Sequence, residues 1–353
     1  MQTVRPGKIT VFPVTPRGYL LAQRLSGELE PMEIHHPSRL KGSLTRKAGA
    51  AFKDSSAILF VSATGIAVRA VAPHLKGKHL DPAVVVADEA GRFVVSLVSG
   101  HLGGANRLAE RIAAIIGAIP VITTATDAMG LPCAEDIARS FSCAIEDVGK
   151  IKRVNSAIVN GGRVFIVDRR PCRLKAIKKA YGASKAFTFK RTPPEDVGLD
   201  RAVVFITAET VEVPEGIRDK TLILRPREFV VGIGCRRGVT AREISAAFNE
   251  ILGRAGVSPL SVRSLASIEM KKNEKGLLSF ARRMGLDIEF FTPEELNSVR
   301  PPSGGSKFVR EKTGAAGVCE PAALFSAGAR SLWVKKIKAG RVTAAMARAP
   351  FTS

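Results

Sequence analysis

The 353-residue sequence is short of aromatic residues, which make up 6% of it and include a single tryptophan. Stacking platforms for single-stranded nucleic acid depend on such side chains, so the sequence gives that function little support. It also lacks the signatures of helix-turn-helix, zinc-finger and RNA-recognition modules. We therefore expect no nucleic acid among the partners.

Long apolar runs are missing as well. No stretch reaches the roughly 20 apolar residues that a membrane-spanning helix needs, so we expect no membrane partner. The N-terminal segment MQTVRPGKITVFPVT lacks the apolar region and cleavage site of a signal peptide. These two features favour a cytoplasmic protein.

Cysteine is sparse and scattered. None of the five cysteines belongs to a Cys-x-x-Cys pair, which argues against a disulfide framework and a structural zinc site. They are Cys133, Cys143, Cys172, Cys235 and Cys319. The histidines show no His-x-x-x-His spacing, so we expect no protein-bound metal. Cys235 lies in a glycine-rich turn, where a small neutral residue is a better interpretation than a reactive thiol.

Acidic residues are few relative to basic ones, with 32 Asp and Glu against 54 Lys and Arg and a net charge of +22. Such a surplus implies nucleic acid, an anionic surface or a small polyanionic substrate as partner. A source organism with generally basic proteins would give the same value. Between residues 150 and 191 the only acid is Asp168, and this basic run is typical of a solvated face.

Strands and helices alternate through both ends of the chain, as in mostly parallel sheets covered by helices on both faces. The sequence predicts a multi-domain α/β protein with three-layer α/β/α domains at residues 1–128 and 228–353. A small basic α/β domain is predicted at residues 129–227. Within it, Asn160-Gly161-Gly162 between two apolar runs indicates a β-hairpin.

Chemistry-bearing residues are densest between Asp81 and Asp127. A strand at 83–87 ends on Asp88, a turn at Gly91 leads into a strand at 93–98, and Ser99-Gly-His-Leu-Gly-Gly-Ala-Asn106 opens an amphipathic helix. The glycine pair permits close approach of a ligand, and the helix start offers N–H groups to an anion. Because polar groups follow several strands, we expect a site at the strand ends.

His101 is the candidate general base of this segment. A helix N-terminus disfavours its protonated form, which suits a base, although a hydrogen-bonding role fits the sequence equally well. Asp88 and Asp127 follow strands and can accept protons or orient water. One of the pair, Asp88, also has the character of a turn residue.

Two further turns carry residues suited to anions. Ser62-Ala-Thr64-Gly65 opens a helix that carries Arg69 one turn later. Gly232-Ile-Gly-Cys-Arg236-Arg237-Gly238 superficially resembles a dinucleotide fingerprint, but its third glycine is one position late. Two guanidinium groups there suit ligand carboxylates better than a dinucleotide.

Several segments, taken together, resemble the CbiG family of cobalt-precorrin 5A hydrolases. In the N-terminal domain they are 58–73, 81–86, 99–106 and 121–127, and in the C-terminal domain 231–238, 261–268 and 320–324. The resemblance follows the chain in order and is looser in the middle domain. Glu269 stands where the family more often has Asp, and both are carboxylates.

The resemblance implies an enzyme of anaerobic cobalamin biosynthesis. Such an enzyme opens the δ-lactone of a ring-contracted cobalt tetrapyrrole, releases acetaldehyde and yields cobalt-precorrin 5B. It implies no cofactor, because the cobalt belongs to the substrate. The acetate and propionate arms of that substrate fit the positive charge, and neighbouring pathway enzymes become possible partners.

On this basis we expect His101 to act as base or water-positioning group, oriented by Asp88 or Asp127, with N–H groups of Gly103 and Gly104 at the oxyanion. The remaining predicted site residues bind substrate, those of the C-terminal domain from across an inter-domain cleft: Thr64, Gly65, Arg69, Asn106, Arg236, Arg237, Glu269 and Lys271. Two alternatives stay open, a non-catalytic carrier of corrinoid intermediates and a protein that binds nucleotides or nucleic acid.

Overall fold

The structure is a computed structural model that describes residues 7–29, 31–77, 80–198 and 200–351. The described residues form three β-sheets, so the predicted multi-domain α/β class is confirmed. The chain divides into two compact units after Glu135, and the second unit holds two of the sheets. The boundaries at 128 and 227 stay a prediction. No helix of the described residues has both the length and the apolar character to cross a membrane.

The first unit is built on a six-stranded sheet of order β2-β1-β3-β4-β5-β6. Its strands are β1 (Ile9–Pro13), β2 (Met32–Ile34), β3 (Ala57–Val61), β4 (Ala83–Ala87), β5 (Phe93–Val98) and β6 (Ile119–Val121). Its helices are α1 (Pro16–Leu25), α2 (Leu44–Asp54), α3 (Thr64–Val71), α4 (Ala105–Ile116) and α5 (Ala125–Ala128), and α6 (Ala134–Ser140) follows.

Helices cover both faces of this sheet. Every residue of β3 and β4 is buried, since their apolar side chains pack on two sides. Apolar residues of α1 and α4 fill one core layer, whereas those of α2 and α3 fill the other. A helix with an apolar stripe at three- and four-residue spacing buries it against such a sheet. The predicted three-layer arrangement is confirmed here.

The direction of the strands changes within the sheet. Strands β1 to β4 run parallel, but β5 pairs antiparallel with β4 after a turn in which Gly91 has φ 68°. Strand β6 then pairs parallel with β5. The carboxyl ends of β5 and β6 therefore lie at one edge, and the carboxyl ends of the other four strands lie at the opposite edge.

The second sheet has the order β7-β11-β10-β8-β9. Its strands are β7 (Cys143–Ile145), β8 (Arg163–Asp168), β9 (Phe187–Lys190), β10 (Arg201–Ile206) and β11 (Thr221–Pro226), with helices α7 (Ile151–Val159), α8 (Pro171–Tyr181) and α9 (Glu215–Arg218). The hairpin predicted around Asn160-Gly161-Gly162 is wrong, because the segment before it is α7. Its buried residues Ile151, Val154 and Ile158 follow the helical spacing.

The third sheet has the order β14-β13-β12-β16-β15. Its strands are β12 (Phe229–Cys235), β13 (Val262–Ile268), β14 (Asp287–Phe291), β15 (Leu332–Ala339) and β16 (Val342–Arg348). Its helices are α10 (Ala241–Ala255), α11 (Lys275–Met284), α12 (Pro293–Asn297), α13 (Lys307–Thr313) and α14 (Cys319–Ala327). A capping box of Thr240 and Glu243 starts α10. Core layers on both faces again give a three-layer domain.

We predict that Gly232→Ala lowers the free energy of unfolding by about 2–4 kcal/mol, because overpacking forces the backbone to move. A Cβ atom at this position would lie 1.9 Å from the Cys319 carbonyl oxygen of α14. Urea denaturation measures the change. Gly253→Ala is the matched control: this exposed helical glycine has open space around it, and alanine should stabilise α10 by about 0.5–1 kcal/mol. Equal changes in the free energy of unfolding of the two variants would contradict the close packing of β12 on α14.

Candidate active site

The carboxyl ends of β5 and β6 bring His101 and Asp127 together. His101 follows β5, and its Nε2 atom lies 3.2 Å from Asp127 Oδ2 and 3.0 Å from Thr126 Oγ1. The imidazole side chain is 16% exposed, so it is shielded from most of the solvent but remains accessible to a ligand. A carboxylate at Nε2 favours the tautomer with the proton on that atom and leaves Nδ1 as the acceptor.

Asn106 holds Asp127 in place from the first turn of α4. It is buried, and its Nδ2 group donates to Asp127 Oδ2 at 3.0 Å and to Thr124 Oγ1 at 3.1 Å. Its Oδ1 atom accepts from Ser96 Oγ at 2.6 Å, and the Thr124 hydroxyl also donates to Asp127. The amide of Asn106 is used inside the protein to orient Asp127, and its predicted contact with substrate stays a prediction.

The glycines after β5 serve internal packing. Ser99 has φ 60°, a left-handed conformation that is strained for a residue with a side chain. A Cβ atom on Gly103 would lie 2.4 Å from Ser99 Cβ, and one on Gly100 would lie 2.5 Å from Asn106 Oδ1. The turn closes tightly only with glycine at these two positions.

The first N–H groups of α4 are already engaged. Gly104 N donates to the His101 carbonyl at 3.2 Å, Ala105 N to Ser99 at 3.2 Å and Asn106 N to Gly100 at 3.1 Å. The Gly104 N–H group thus has a partner within the turn, and its predicted oxyanion role stays a prediction. The Ser99 hydroxyl is buried and has no hydrogen-bond partner among the described residues. It is a donor that the prediction missed.

Cys133 also belongs to the surroundings of His101. Its Sγ atom lies 3.7 Å from His101 Nδ1, and the residue is buried. Because the two residues are 32 positions apart in the sequence, no spacing motif indicated this contact. The absence of a resident metal remains a prediction.

Asp88 lies at the other end of β5 from His101. It follows β4, and its carboxylate accepts hydrogen bonds from the backbone N–H groups of Ala90, Arg92 and Phe93 in its own turn. The antiparallel pairing of β4 with β5 sets this position. Asp88 therefore closes the turn around Gly91, and the alternative in which it orients His101 is corrected.

Thr64, Gly65 and Arg69 meet at the edge that Asp88 shares. They belong to α3, which follows β3, and Arg69 Nη1 donates to the Gly65 carbonyl at 3.2 Å. All three are exposed. The carboxyl ends of β1 and β3 adjoin here while the chain leaves them in opposite directions along the sheet, which is where open α/β sheets bind ligands. The first unit thus has two polar edges.

The predicted residues of the C-terminal sheet share another edge. Arg236 and Arg237 follow β12, and Glu269 follows the parallel neighbour β13; all three are exposed. Lys271 instead forms a half-buried pair with Glu274 at 3.4 Å. Glu274 also accepts from Gly238 N at 3.1 Å, so Lys271 supports the arginine-bearing turn through Glu274. Its predicted contact with a ligand stays a prediction.

None of the five cysteines, all of which lie among the described residues, forms a disulfide, and their burial differs. Burial raises the pKa of Cys235 to about 11 and that of Cys319 to about 11. Burial also raises the pKa of Cys143 to about 12. Because the thiolate is the reactive form, none of these three is a nucleophile near neutral pH.

We predict that iodoacetamide at pH 8 alkylates Cys172 first in the native protein, since this thiol alone among the cysteines is exposed. Cys235 should react appreciably only as the pH approaches 11, because deprotonation follows its raised pKa. Mass spectrometry of the digested protein reports the order, and labelling in denaturant supplies the control with five modified sites. Early labelling of Cys133 or Cys319 would contradict the burial described.

Three family models match consecutive stretches of the chain. Cobalamin synthesis G N-terminal matches residues 47–127, cobalamin biosynthesis central region matches 133–226, and cobalamin synthesis G C-terminus matches 229–347. The matched stretches contain the residues of both edges of the first sheet and the arginine-bearing turn of the third.

Two curated relatives align over nearly the whole chain. The cobalt-precorrin-5A hydrolase of Priestia megaterium is 30% identical over 98% of this chain and 96% of its own. The enzyme of that name from Salmonella typhimurium is 34% identical over 93% of this chain and 94% of its own. A solved cobalamin biosynthesis protein G homologue from Sulfolobus solfataricus is 22% identical over 99% of both chains, with a TM-score of 0.38.

Proposed function

The chain belongs to the cobalamin synthesis G family, and from this premise we propose that it hydrolyses cobalt-precorrin 5A. The reaction opens a δ-lactone on a ring-contracted cobalt tetrapyrrole in anaerobic cobalamin biosynthesis. The names of the relatives support this substrate. The contact of His101 with Asp127 is the observation that supports the location of the reaction.

The reaction breaks an ester bond of the substrate and then a carbon–carbon bond. Water adds to the lactone carbonyl carbon and loses a proton, and the ester bond between that carbon and the ring oxygen breaks. The freed oxygen keeps the two-carbon unit, which leaves as acetaldehyde when its bond to the macrocycle breaks. The macrocycle takes that electron pair and gains a proton, giving cobalt-precorrin 5B. A base, an oxyanion donor and a carboxylate anchor are therefore required.

His101 is the proposed base. The carboxylate of Asp127 at Nε2 stabilises the imidazolium that forms when Nδ1 takes a proton from water. For this step the water replaces the Cys133 thiol, whose Sγ atom lies 3.7 Å from Nδ1. Asn106 and Thr124 fix the orientation of that carboxylate, so no reorganisation is needed during proton transfer. Proton transfer by a positioned imidazole contributes about 10²- to 10⁴-fold in rate.

The oxyanion donors are proposed at the same turn. The Ser99 hydroxyl lies two residues from His101 and has no hydrogen-bond partner among the described residues. The N–H group of Gly103 keeps its proposed place beside it. Removal of one such donor costs about 10²- to 10³-fold in kcat in enzymes that use them.

The exposed positive charges are assigned to the substrate. Guanidinium groups pair bidentately with carboxylates, and Arg69, Arg236 and Arg237 are exposed at strand ends. We assign the net charge of +22 to recognition of the carboxylate arms and not to nucleic acid. The cobalt is part of the substrate, so no resident cofactor is proposed. Neighbouring enzymes of the pathway are the proposed protein partners.

A cytoplasmic location is proposed for the reaction. None of the five cysteines, which all lie among the described residues, forms a disulfide, as is usual where thiols are kept reduced, and Cys172 is exposed.

The test is anaerobic incubation of the purified protein with cobalt-precorrin 5A, with product mass measured and acetaldehyde trapped. If the protein is this hydrolase, it releases stoichiometric acetaldehyde, and its product has the mass of cobalt-precorrin 5B. Binding without acetaldehyde would point to a carrier of corrinoid intermediates. No binding and no turnover would contradict the proposed function.

We predict that Asp127→Asn and His101→Gln each lower kcat by about 10²- to 10⁴-fold, because each removes part of the proposed base. Asp88→Asn is the matched control, since the carboxylate of Asp88 closes a turn at the opposite edge of the sheet. It should keep kcat within about threefold. A large loss in Asp88→Asn with little change in Asp127→Asn would reverse the assignment of the two carboxylates.

A further inference from the structure

A cleft of about 200 Å³ lies in the second unit, at the carboxyl ends of β8 and β10. These strands are parallel neighbours, but the chain continues from β8 to β9 on one side of the sheet and from β10 to β11 on the other. The loops after the two strands therefore diverge, and open α/β sheets bind ligands in the crevice at such a point. Arg169 and Arg170 follow β8, whereas Thr207 and Glu209 follow β10.

The C-terminal sheet supplies the other wall of the cleft. Arg348 at the end of β16 places its guanidinium 5.6 Å from the ring centroid of Phe229 and 5.3 Å from that of Trp333. Trp333 is 45% exposed and presents a flat apolar surface. Backbone bonds between residues 208–210 and 256–258 join the two sheets beside the cleft. The walls are thus fixed relative to each other.

The charges of the cleft do not balance. Glu228 accepts hydrogen bonds from Arg170, Arg173 and Arg348, and Asp168 accepts two from Arg173. Three guanidinium groups therefore share two carboxylates in a largely buried cluster, which leaves one positive charge unmatched.

Arg169 adds a further cation at the mouth of the cleft. Its side chain is 60% exposed and lies 3.9 Å from the carboxylate of Glu209, a loose pairing that a ligand can replace. An unmatched charge that is withdrawn from water is unfavourable, and an anion in the cleft would offset it.

We propose that this cleft binds a carboxylate arm of the tetrapyrrole substrate. Arg169 and Arg348 pair with the carboxylate, and Trp333 supports the adjoining part of the macrocycle. The inference rests on the proposed function and gives the basic middle part of the chain a role in substrate binding. A free anion would make no contact with the exposed indole. A carboxylate arm attached to a flat macrocycle would use both the guanidinium groups and the indole.

The first test measures KM and kcat for cobalt-precorrin 5A in Arg169→Gln and Arg348→Gln. A lost charge-assisted hydrogen bond should raise KM about tenfold or more, while kcat stays within about twofold because the reacting bond is not touched. Arg201→Gln is the matched control, since Arg201 is exposed at the opposite end of β10. Arg169 is also exposed, so its variant should fold even if that of Arg348 does not.

A second test needs no turnover. Uroporphyrin I, a macrocycle with eight carboxylates and no lactone, is titrated with protein and followed by its fluorescence anisotropy. We expect Kd to rise about tenfold in Arg169→Gln and Arg348→Gln and to stay unchanged in Arg201→Gln.

The outcomes separate the inference from the proposed function. Unchanged KM and Kd in both cleft variants, with normal turnover by the unaltered protein, would overturn the inference and leave the hydrolase standing. An equal loss of binding in Arg201→Gln would show that the effect is general charge attraction, and this result would also overturn the inference. Selective loss of uroporphyrin binding in a protein without turnover would support the carboxylate cleft and refute the hydrolase.

Discussion

The reversal of the chain at Gly91 determines which polar groups of the N-terminal sheet can meet. Because β5 runs antiparallel to β4, the turn after β5 lies at the edge where β6 also ends. His101 thereby approaches Asp127 and is separated from Asp88, although Asp88 is nearer in sequence. A parallel β5 would have placed all the strand-end residues at one edge. The catalytic assignment depends on this single change of direction.

The contact between His101 and Asp127 is kept by side chains that do no chemistry themselves. Asn106, Thr124 and Ser96 form a chain of hydrogen bonds that ends on the carboxylate of Asp127. A hydrogen bond to a charged group contributes about 1.5–3 kcal/mol, and a buried donor left without a partner is unfavourable by a similar amount. The amide of Asn106 therefore has one low-energy orientation, and it holds the carboxylate at the imidazole. Glycine at positions 100 and 103 is the steric condition for this packing.

Local sequence signals predicted much of the fold. The bounds of β4 and β5 agree with the strands predicted at 83–87 and 93–98, since turn residues flank each apolar run. The hairpin predicted at Asn160-Gly161-Gly162 was wrong because asparagine and glycine end helices as well as forming hairpin turns. The geometry of the sites was harder to predict, because it depends on pairing between strands that are distant in the sequence. Cys133 contacts His101 in this way, and Glu228 accepts hydrogen bonds from three arginines. The unmatched charge of the β8–β10 cleft has no counterpart in any local motif.

A crystal structure of the protein with its reaction product, prepared without oxygen, would show most directly whether His101 lies at the reacting carbonyl. If the reaction takes place at His101, the carboxylate formed from the lactone lies within hydrogen-bonding distance, about 3 Å, of His101 Nδ1 or Ser99 Oγ. A product whose new carboxylate lies instead against Thr64, Gly65 and Arg69, at the opposite edge of the sheet, would contradict this location of the reaction.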